Sequence, residues 1–302
     1  MKVAIVGTGC VARYVVDALL ANSHDVITLS RTRKQHFESL PIVQYEIEYT
    51  AKSMSKFLEG CEAVICTVSF SAPDIVQIHR ELLEACKSIP TCKKLFPSIW
   101  IGNFEDVPDQ PYGEAEGVRQ IASLLSSQNT VEWTIVSLGW LIDYVLPTEQ
   151  RYLPDDPFWV QDHEAKTFKL YGSGTQTVSC TPARDAANAV VRLAETEVPL
   201  ERVTYMSGQQ LTWAELYEII KERDPGYTLT HKSLAECIQD YINSTDEMAK
   251  YGAVFDIMGH SEALKFPQPR VDKHREIYFT GLKFRTVKEL LDEGLVKKGQ
   301  VV

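Results

Sequence analysis

The chain has 302 residues, 44% hydrophobic and 24% charged, which are the proportions of a folded globular protein, and its length suits one large domain or a nucleotide-binding domain joined to a smaller lobe. It holds no run of about 18 apolar residues, so no membrane association is expected. The formal net charge of −10 argues against nucleic acid as the main partner, because such affinity comes from neutralising phosphates with Lys and Arg.

The first half alternates short apolar strands with amphipathic helices. Strands are predicted over residues 2–6, 25–30, 42–47, 63–68, 93–96 and 133–137, and helices over 11–21, 54–58, 74–86 and 115–126, where apolar residues recur at i, i+3 and i+4. Strands buried on both faces with crossover helices imply an α/β fold with a Rossmann-type, doubly wound parallel sheet. After about Gly139 the connections lengthen and prolines appear (Pro147, Pro154, Pro157). Strands are expected there at 167–171 and 177–181, with helices near 183–194, 213–222, 246–261 and 286–293. The expected division is a cofactor-binding domain over 1–145 and a smaller C-terminal α+β substrate lobe over 146–302, with the two interleaved. The seven cysteines are scattered and form no C-x-x-C pair, so neither a disulfide framework nor a metal site is expected. The N-terminus starts with a strand and has no secretory pattern, so a cytoplasmic location is expected.

Residues 7–12 read Gly7-Thr8-Gly9-Cys10-Val11-Ala12, a G-x-G-x-x-A segment between the first strand and the first helix. Each small residue has a physical reason. Gly7 allows a tight turn, Gly9 lets the backbone approach a pyrophosphate, and Ala12 lets helix pack on strand, so that the helix N-terminus faces negative charge. The plain alternative is a Rossmann fold that binds nothing. The second strand ends in Ser30-Arg31-Thr32-Arg33-Lys34 where an NAD site would carry a carboxylate for the ribose 2′-hydroxyl. In so acidic a protein this local cluster suits a 2′-phosphate, with Arg31 best able to hold it bidentately, and points to NADP(H). The alternative is a solvated basic turn. Ser69 and Ser98, after the fourth and fifth strands, complete the expected cofactor-facing set.

Several further segments carry a resemblance: Lys94-Leu-Phe-Pro97-Ser98, Gly102-Asn103-Phe-Glu-Asp106, Val118-Arg119, Trp133-Thr-Ile-Val-Ser137-Leu-Gly139-Trp140, Gly172-Ser-Gly174 and Thr181-Pro-Ala-Arg184-Asp185. With the N-terminal loop they resemble the NmrA-like and isoflavone-reductase-like branch of atypical short-chain dehydrogenases, fungal members especially, over about residues 1–195. The resemblance implies NADPH binding, a C-terminal lobe forming the substrate cleft, and reduction of aromatic or polyketide-type secondary metabolites. It also extends to a regulator that senses nicotinamide cofactors without turnover. Two of the family's catalytic groups are missing: Ile99 stands in place of its glutamate in Pro97-Ser98-Ile99-Trp100, and Ala115 in place of its lysine three residues before Val118-Arg119.

Candidate catalytic groups are Tyr112, whose fourth following residue is Glu116 rather than a lysine; His163, an imidazole in a segment expected to border the cleft; and Asp143, just after the sixth strand. Trp100, Trp140, Tyr144, Phe158 and Trp159 are candidate walls of a flat apolar pocket, with core packing as the alternative. Asp185 is expected to support the N-terminal turn of its helix. Tyr217 and Lys221 match the short-chain dehydrogenase spacing but lie outside the nucleotide-binding half and are read as coincidence. The leading reading is an NADPH-dependent oxidoreductase, monomeric or homodimeric, acting on a small molecule. The alternatives are a non-redox isomerase, dehydratase or cyclase, and a non-enzymatic cofactor sensor.

Overall fold

The computed structural model describes the chain except residues 70, 71, 73, 101 and 110–112, and except the side chains of 113–115. Its centre is a six-stranded parallel sheet built from β1 (Lys2–Val6), β2 (Asp25–Ser30), β3 (Val43–Glu46), β4 (Ala63–Cys66), β5 (Lys94–Phe96) and β6 (Glu132–Trp133). The spatial order is β3-β2-β1-β4-β5-β6. This order reverses between β1 and β4, and ligands bind at the carboxyl edge of such a switch point.

Helices cover both faces. α2 (Ala51–Ser55), α3 (Ile75–Lys87) and α4 (Gly113–Ser126) lie among the apolar residues of one face; α1 (Cys10–Ala21) and a later helix, α5 (Ala183–Glu195), lie on the other. The short helix begins three residues before its expected position because Thr50 caps it, its Oγ1 accepting from the Ser53 N–H at 3.2 Å. The expected sixth strand is divided: β6 pairs with β5, whereas β7 (Ile135–Ser137), one residue on, pairs with β12 (Val203–Tyr205). At the break Thr134 and Thr204 satisfy each other across 2.8 Å. Thus α5 and β12, from the second half of the chain, pack onto the first half.

Buried Lys94 has a structural task. Its Nζ donates to the carbonyls of Leu193, Ala194 and Thr196, closing the C-terminal end of α5.

The C-terminal region contains two small sheets. β8 (Trp140–Leu141), β11 (Thr177–Thr181) and β13 (Gln209–Thr212) form one; β9 (Gln161–Asp162), β10 (Thr167–Tyr171) and β14 (Thr228–Lys232) form the other. α6 (Trp213–Arg223), α7 (Leu234–Asn243), α8 (Glu247–Gly259), α9 (Gln268–Tyr278) and α10 (Val287–Val296) complete the chain. Capping boxes at Thr212–Glu215, Ser233–Glu236 and Thr286–Glu289 start α6, α7 and α10. Among the described residues no helix is long and apolar enough to cross a membrane.

The chain passes from β7 to β8 through Gly139, whose φ is +72° and whose missing side chain would lie 2.0 Å from the Ser179 carbonyl oxygen. Gly281 has a similar φ, +79°, but a Cβ there would meet nothing within 4 Å. Gly281→Ala is therefore expected to cost only the left-handed backbone penalty, roughly 1–2 kcal/mol. Gly139→Ala adds a backbone collision and should cost more than about 3 kcal/mol. Urea unfolding of both variants checks this; equal costs would contradict it.

Candidate active site

A cleft of about 610 Å³ lies along the carboxyl ends of β1, β2, β4 and β5. Its floor is the turn between β1 and α1. Gly7 has φ +93°, and a side chain there would sit 2.6 Å from the Val68 nitrogen and 2.8 Å from the Thr67 carbonyl carbon. The turn is stitched on both sides. The Gly7 N–H donates to the Leu29 carbonyl at 2.9 Å, and the Thr67 hydroxyl donates to the Gly7 carbonyl at 2.9 Å.

Gly9 differs, since a Cβ there would meet nothing within 4 Å and the residue lines the open cleft. Gly9 is also the N-cap of α1, with no side-chain cap and no acidic residue in the first turn. The first amides of this twelve-residue helix therefore face the cleft without a protein anion, which suits the pyrophosphate of a dinucleotide. Thr8, Cys10 and Val11 line the same floor. Ala12 does not; it is fully buried among the residues packing α1 onto the sheet.

One end of the cleft is formed by Ser30, Arg31, Thr32, Lys34 and Tyr49. The Ser30 hydroxyl donates to the Thr32 carbonyl at 2.7 Å, and the Gln44 amide brackets Lys34, accepting from its N–H at 2.9 Å and donating to its carbonyl at 3.2 Å. These bonds present Arg31 and Lys34 on one side. Arg31 also stands 5.4 Å from the Tyr49 ring centre. Arg33, expected to face the cofactor, is exposed to solvent and does not line the cleft; Lys34 takes that place.

The other end carries Ser98, Ile99, Trp100 and Val118, with Tyr251 and Phe255 from α8. Ser98 is held at both its polar groups. Its hydroxyl donates to the Val68 carbonyl at 2.7 Å, and its N–H donates to Nε2 of His79 at 2.9 Å. His79, fully buried on α3, donates from Nδ1 to the Ile75 carbonyl at 2.8 Å. Those partners require the neutral imidazole, and burial pushes its pKa down to about 4. Ser69 also lines this cleft. Ile99 is buried within the apolar cluster between sheet and α3, a site that would penalise a charge.

Other sequence-derived candidates lie elsewhere. Asp143 is fully buried outside the cleft, and its Oδ2 accepts from the Ala183 N–H at 2.6 Å, capping α5 from a distance; burial raises its pKa to about 6. His163 also stands outside the cleft as a latch, its Nε2 donating to the Tyr144 carbonyl at 2.7 Å and its Nδ1 lying 3.3 Å from the Tyr227 hydroxyl. Asp185 sits in the first turn of α5, where its charge favours the helix end although it caps no amide there, and it also holds Arg285: its Oδ2 accepts the Arg285 N–H at 2.6 Å and its Oδ1 the Nε–H at 3.0 Å. Tyr112 lies outside the described residues, as does the side chain of Ala115. Tyr217 is buried on α6 and donates to the Tyr227 carbonyl at 3.3 Å.

Of the five candidate aromatics only Trp100 lines the cleft. Trp140, Tyr144, Phe158 and Trp159 form the layer behind it. Phe158 stacks on Phe255 with centroids 5.7 Å apart, Trp140 meets Phe255 edge-on at 5.4 Å, and Trp159 touches Trp140 and Tyr144 at 5.6 and 5.7 Å. They thus back the wall that Tyr251 and Phe255 present. α8 itself is anchored by Asp256, next to Phe255, which receives Lys169 and the Tyr171 hydroxyl on one oxygen and Lys232 on the other. Burial alone would raise the Asp256 pKa, but the two lysines hold it below the usual range. Thr67 and Val68 could have been found as the end of a predicted strand. Tyr251 and Phe255 come from a distant helix with no local signal.

A sequence profile described as NAD(P)H-binding matches residues 7–164. Two curated fungal relatives, both named oxidoreductase swnR, are 32% identical over 97% of each chain (Arthroderma benhamiae) and 30% identical over 96% of each chain (Metarhizium robertsii). The chain belongs to the NAD(P)H-binding family and is related over nearly its whole length to these fungal oxidoreductases. Solved structures share the fold at low identity. Leucoanthocyanidin reductase of Vitis vinifera superposes with a TM-score of 0.76 at 18% identity, covering 98% of this chain and 100% of the other. The NADPH complex of an NADPH-dependent quinone oxidoreductase from Escherichia coli gives 0.73 at 18% identity, covering 97% and 99%. The nicotinamide cofactor and oxidoreductase class expected from the sequence agree with this membership.

The His79 bridge makes a pH prediction. Its folded pKa lies below the ordinary 6.5, so the unfolded chain binds the proton first as pH falls. The contribution is intact above pH 6.5 and shrinks by about 3 kcal/mol between pH 6.5 and 4. Asp143 acts with the opposite sign, because its raised pKa relieves a destabilisation as pH falls below 6. The difference in unfolding free energy between wild type and His79→Gln isolates the histidine. It should narrow by about 3 kcal/mol over that window, and a constant difference would contradict the bridge.

Proposed function

We propose that the protein is an NADPH-dependent reductase of a flat, aromatic or polyketide-type metabolite, working by orientation rather than by a strong protein acid. The observation that carries this is the polarity of the cleft. One end offers Arg31 and Lys34, the middle offers the amides of α1, and the far end offers Trp100, Tyr251 and Phe255. Phosphate, pyrophosphate and an apolar acceptor fit these three stations in that order.

When bound, the cofactor supplies a hydride. Arg31 and Lys34 hold the 2′-phosphate, and the Thr8–Val11 segment holds the pyrophosphate. Ser98, fixed by His79 and Val68, sets the level of the β5 edge on which the acceptor rests. With Ile99 and Ala115 in place of the family's carboxylate and lysine, the reading favours an acceptor that needs little protonation, such as an enone, iminium or quinone methide. Orientation alone can supply about 7–11 kcal/mol of barrier lowering. The reductase names of the Vitis and Escherichia proteins that share the fold agree with this reading.

The test is NADPH oxidation followed at 340 nm with a planar quinone and a planar enone as acceptors. Acceptor-dependent oxidation is expected, with Lys34→Ala and Arg31→Ala each raising KM for NADPH at least tenfold, about 1.4 kcal/mol, and leaving KM for NADH within twofold. No acceptor-dependent oxidation, with an acceptor converted at constant 340 nm absorbance, would replace the reductase by a non-redox isomerase, dehydratase or cyclase.

A further inference from the structure

We propose that the free edge of β14 and the exposed side of α7 form a homodimer interface, in which two β14 strands pair antiparallel about a twofold axis through Thr230 and the two α7 helices cover each other's apolar sides. The surface lies apart from the cleft, and the proposal does not rest on the reductase reading.

Eleven large hydrophobic side chains are exposed among the described residues, and six of them fall within residues 229–248: Leu229, Leu234, Ile238, Tyr241, Ile242 and Met248. Leu234, Ile238, Tyr241 and Ile242 stand at i, i+4, i+7 and i+8 of α7 and so share one side of the helix. Ile242 is 65% exposed, and Met248, at the start of α8, is 58% exposed. An amphipathic helix ordinarily hides such a side against its own core. At these exposures the five side chains of α7 and α8 present an apolar area on the order of 500 Å², near the upper end for the largest patch of a monomer. With the adjoining strand edge it approaches the roughly 800 Å² per partner that a stable dimer buries.

β14 is an edge strand of its sheet. The Thr228 N–H donates to the Lys166 carbonyl at 3.0 Å and the Lys232 carbonyl accepts the Gly172 N–H at 3.2 Å, so residues 228, 230 and 232 turn their backbone groups toward β10. Leu229 and His231 turn theirs outward, where they have no backbone partner among the described residues. Antiparallel pairing about Thr230 sets Leu229 of one protomer opposite His231 of its partner, which satisfies these groups, and Lys232 opposite Thr228, so that no like charges face each other. α7 lies over the same edge: Lys232, at the end of β14, reaches Asp240 of α7 and Asp256 of α8, each at 2.7 Å, whereas Lys169 and Tyr171 of β10, one strand further in, reach Asp256.

Charge decides what covers this surface. α7 carries no Lys or Arg, so an anionic membrane or an acidic partner gains nothing there. Its two acids are engaged within their own copy, Glu236 in the Ser233 capping box and Asp240 with Lys232, so a second α7 can approach without repulsion between free charges. The strand edge and the helix side are self-complementary about one axis, which is the isologous form of most homo-oligomers.

The test is sedimentation velocity of the full chain over a dilution series. Wild type is expected to be mainly dimeric at about 50 µM and to dissociate on dilution. Ile242→Glu, which sets a charge into the apolar side, should raise the dimer dissociation constant at least hundredfold. His231→Pro, which removes an outward N–H, should raise it at least tenfold. Val296→Glu, at a still more exposed apolar position on α10, should leave it within twofold. Far-UV circular dichroism matching wild type shows that the variants are folded. Amide hydrogen exchange reads the strand pairing without His231→Pro: Leu229 and His231 should exchange at least tenfold more slowly in the wild-type dimer than in the Ile242→Glu monomer. A wild type that stays monomeric at that concentration, a dimer that Ile242→Glu leaves intact, or equal exchange at both amides would overturn the proposal. A monomeric wild type would leave the surface to a different protein.

Discussion

The turn between β1 and α1 passes so close to the end of β4 that residue 7 has no space for a side chain: its Cβ would fall inside contact distance of the Thr67–Val68 peptide. The same turn is bonded to Leu29 on β2's side and to Thr67 on β4's side. Three neighbouring strand ends are thereby fixed relative to the N-terminus of α1. That helix end has no side-chain cap and lines the cleft, and an end of this kind favours an anion. The cationic end and the aromatic end are placed by their distance from this turn.

The turn itself was legible because it depends on local geometry. Small residues at 7, 9 and 12, directly after a strand and before an amphipathic helix, leave few other folds. The basic end was legible in kind but not in register. Whether residue 33 or 34 faces the cleft depends on the Gln44 amide that grips Lys34 from the next strand, a contact between residues ten apart across a loop. The aromatic end was legible only in composition. Trp140, Tyr144, Phe158 and Trp159 do cluster, yet the cleft face of that cluster belongs to α8, and nothing in residues 140–159 says that Tyr251 and Phe255 will cover it.

Asp143, Asp185 and His163 are instructive in another way. Each is a titratable residue near a strand end, which is what a catalytic group looks like in sequence, and each is committed to holding the chain together: a remote cap for α5, an anchor for Arg285 and a latch between Tyr144 and Tyr227. Conversely His79, an ordinary residue of an amphipathic helix, supports the cleft, because burial keeps it neutral and its Nε2 accepts the Ser98 amide proton. A side chain's role follows from the partners that tertiary packing supplies, and those come from α5, the C-terminal segment and the second lobe.

The central claim is that the uncapped α1 terminus and the Arg31–Lys34 cluster together form an NADPH site. The most direct measurement is a parallel titration of the purified protein with NADPH and NADH, followed by tryptophan and nicotinamide fluorescence. The account predicts micromolar NADPH binding with at least a tenfold preference over NADH, about 1.4 kcal/mol. Equal affinities would contradict the phosphate cluster, and binding of neither would contradict the site.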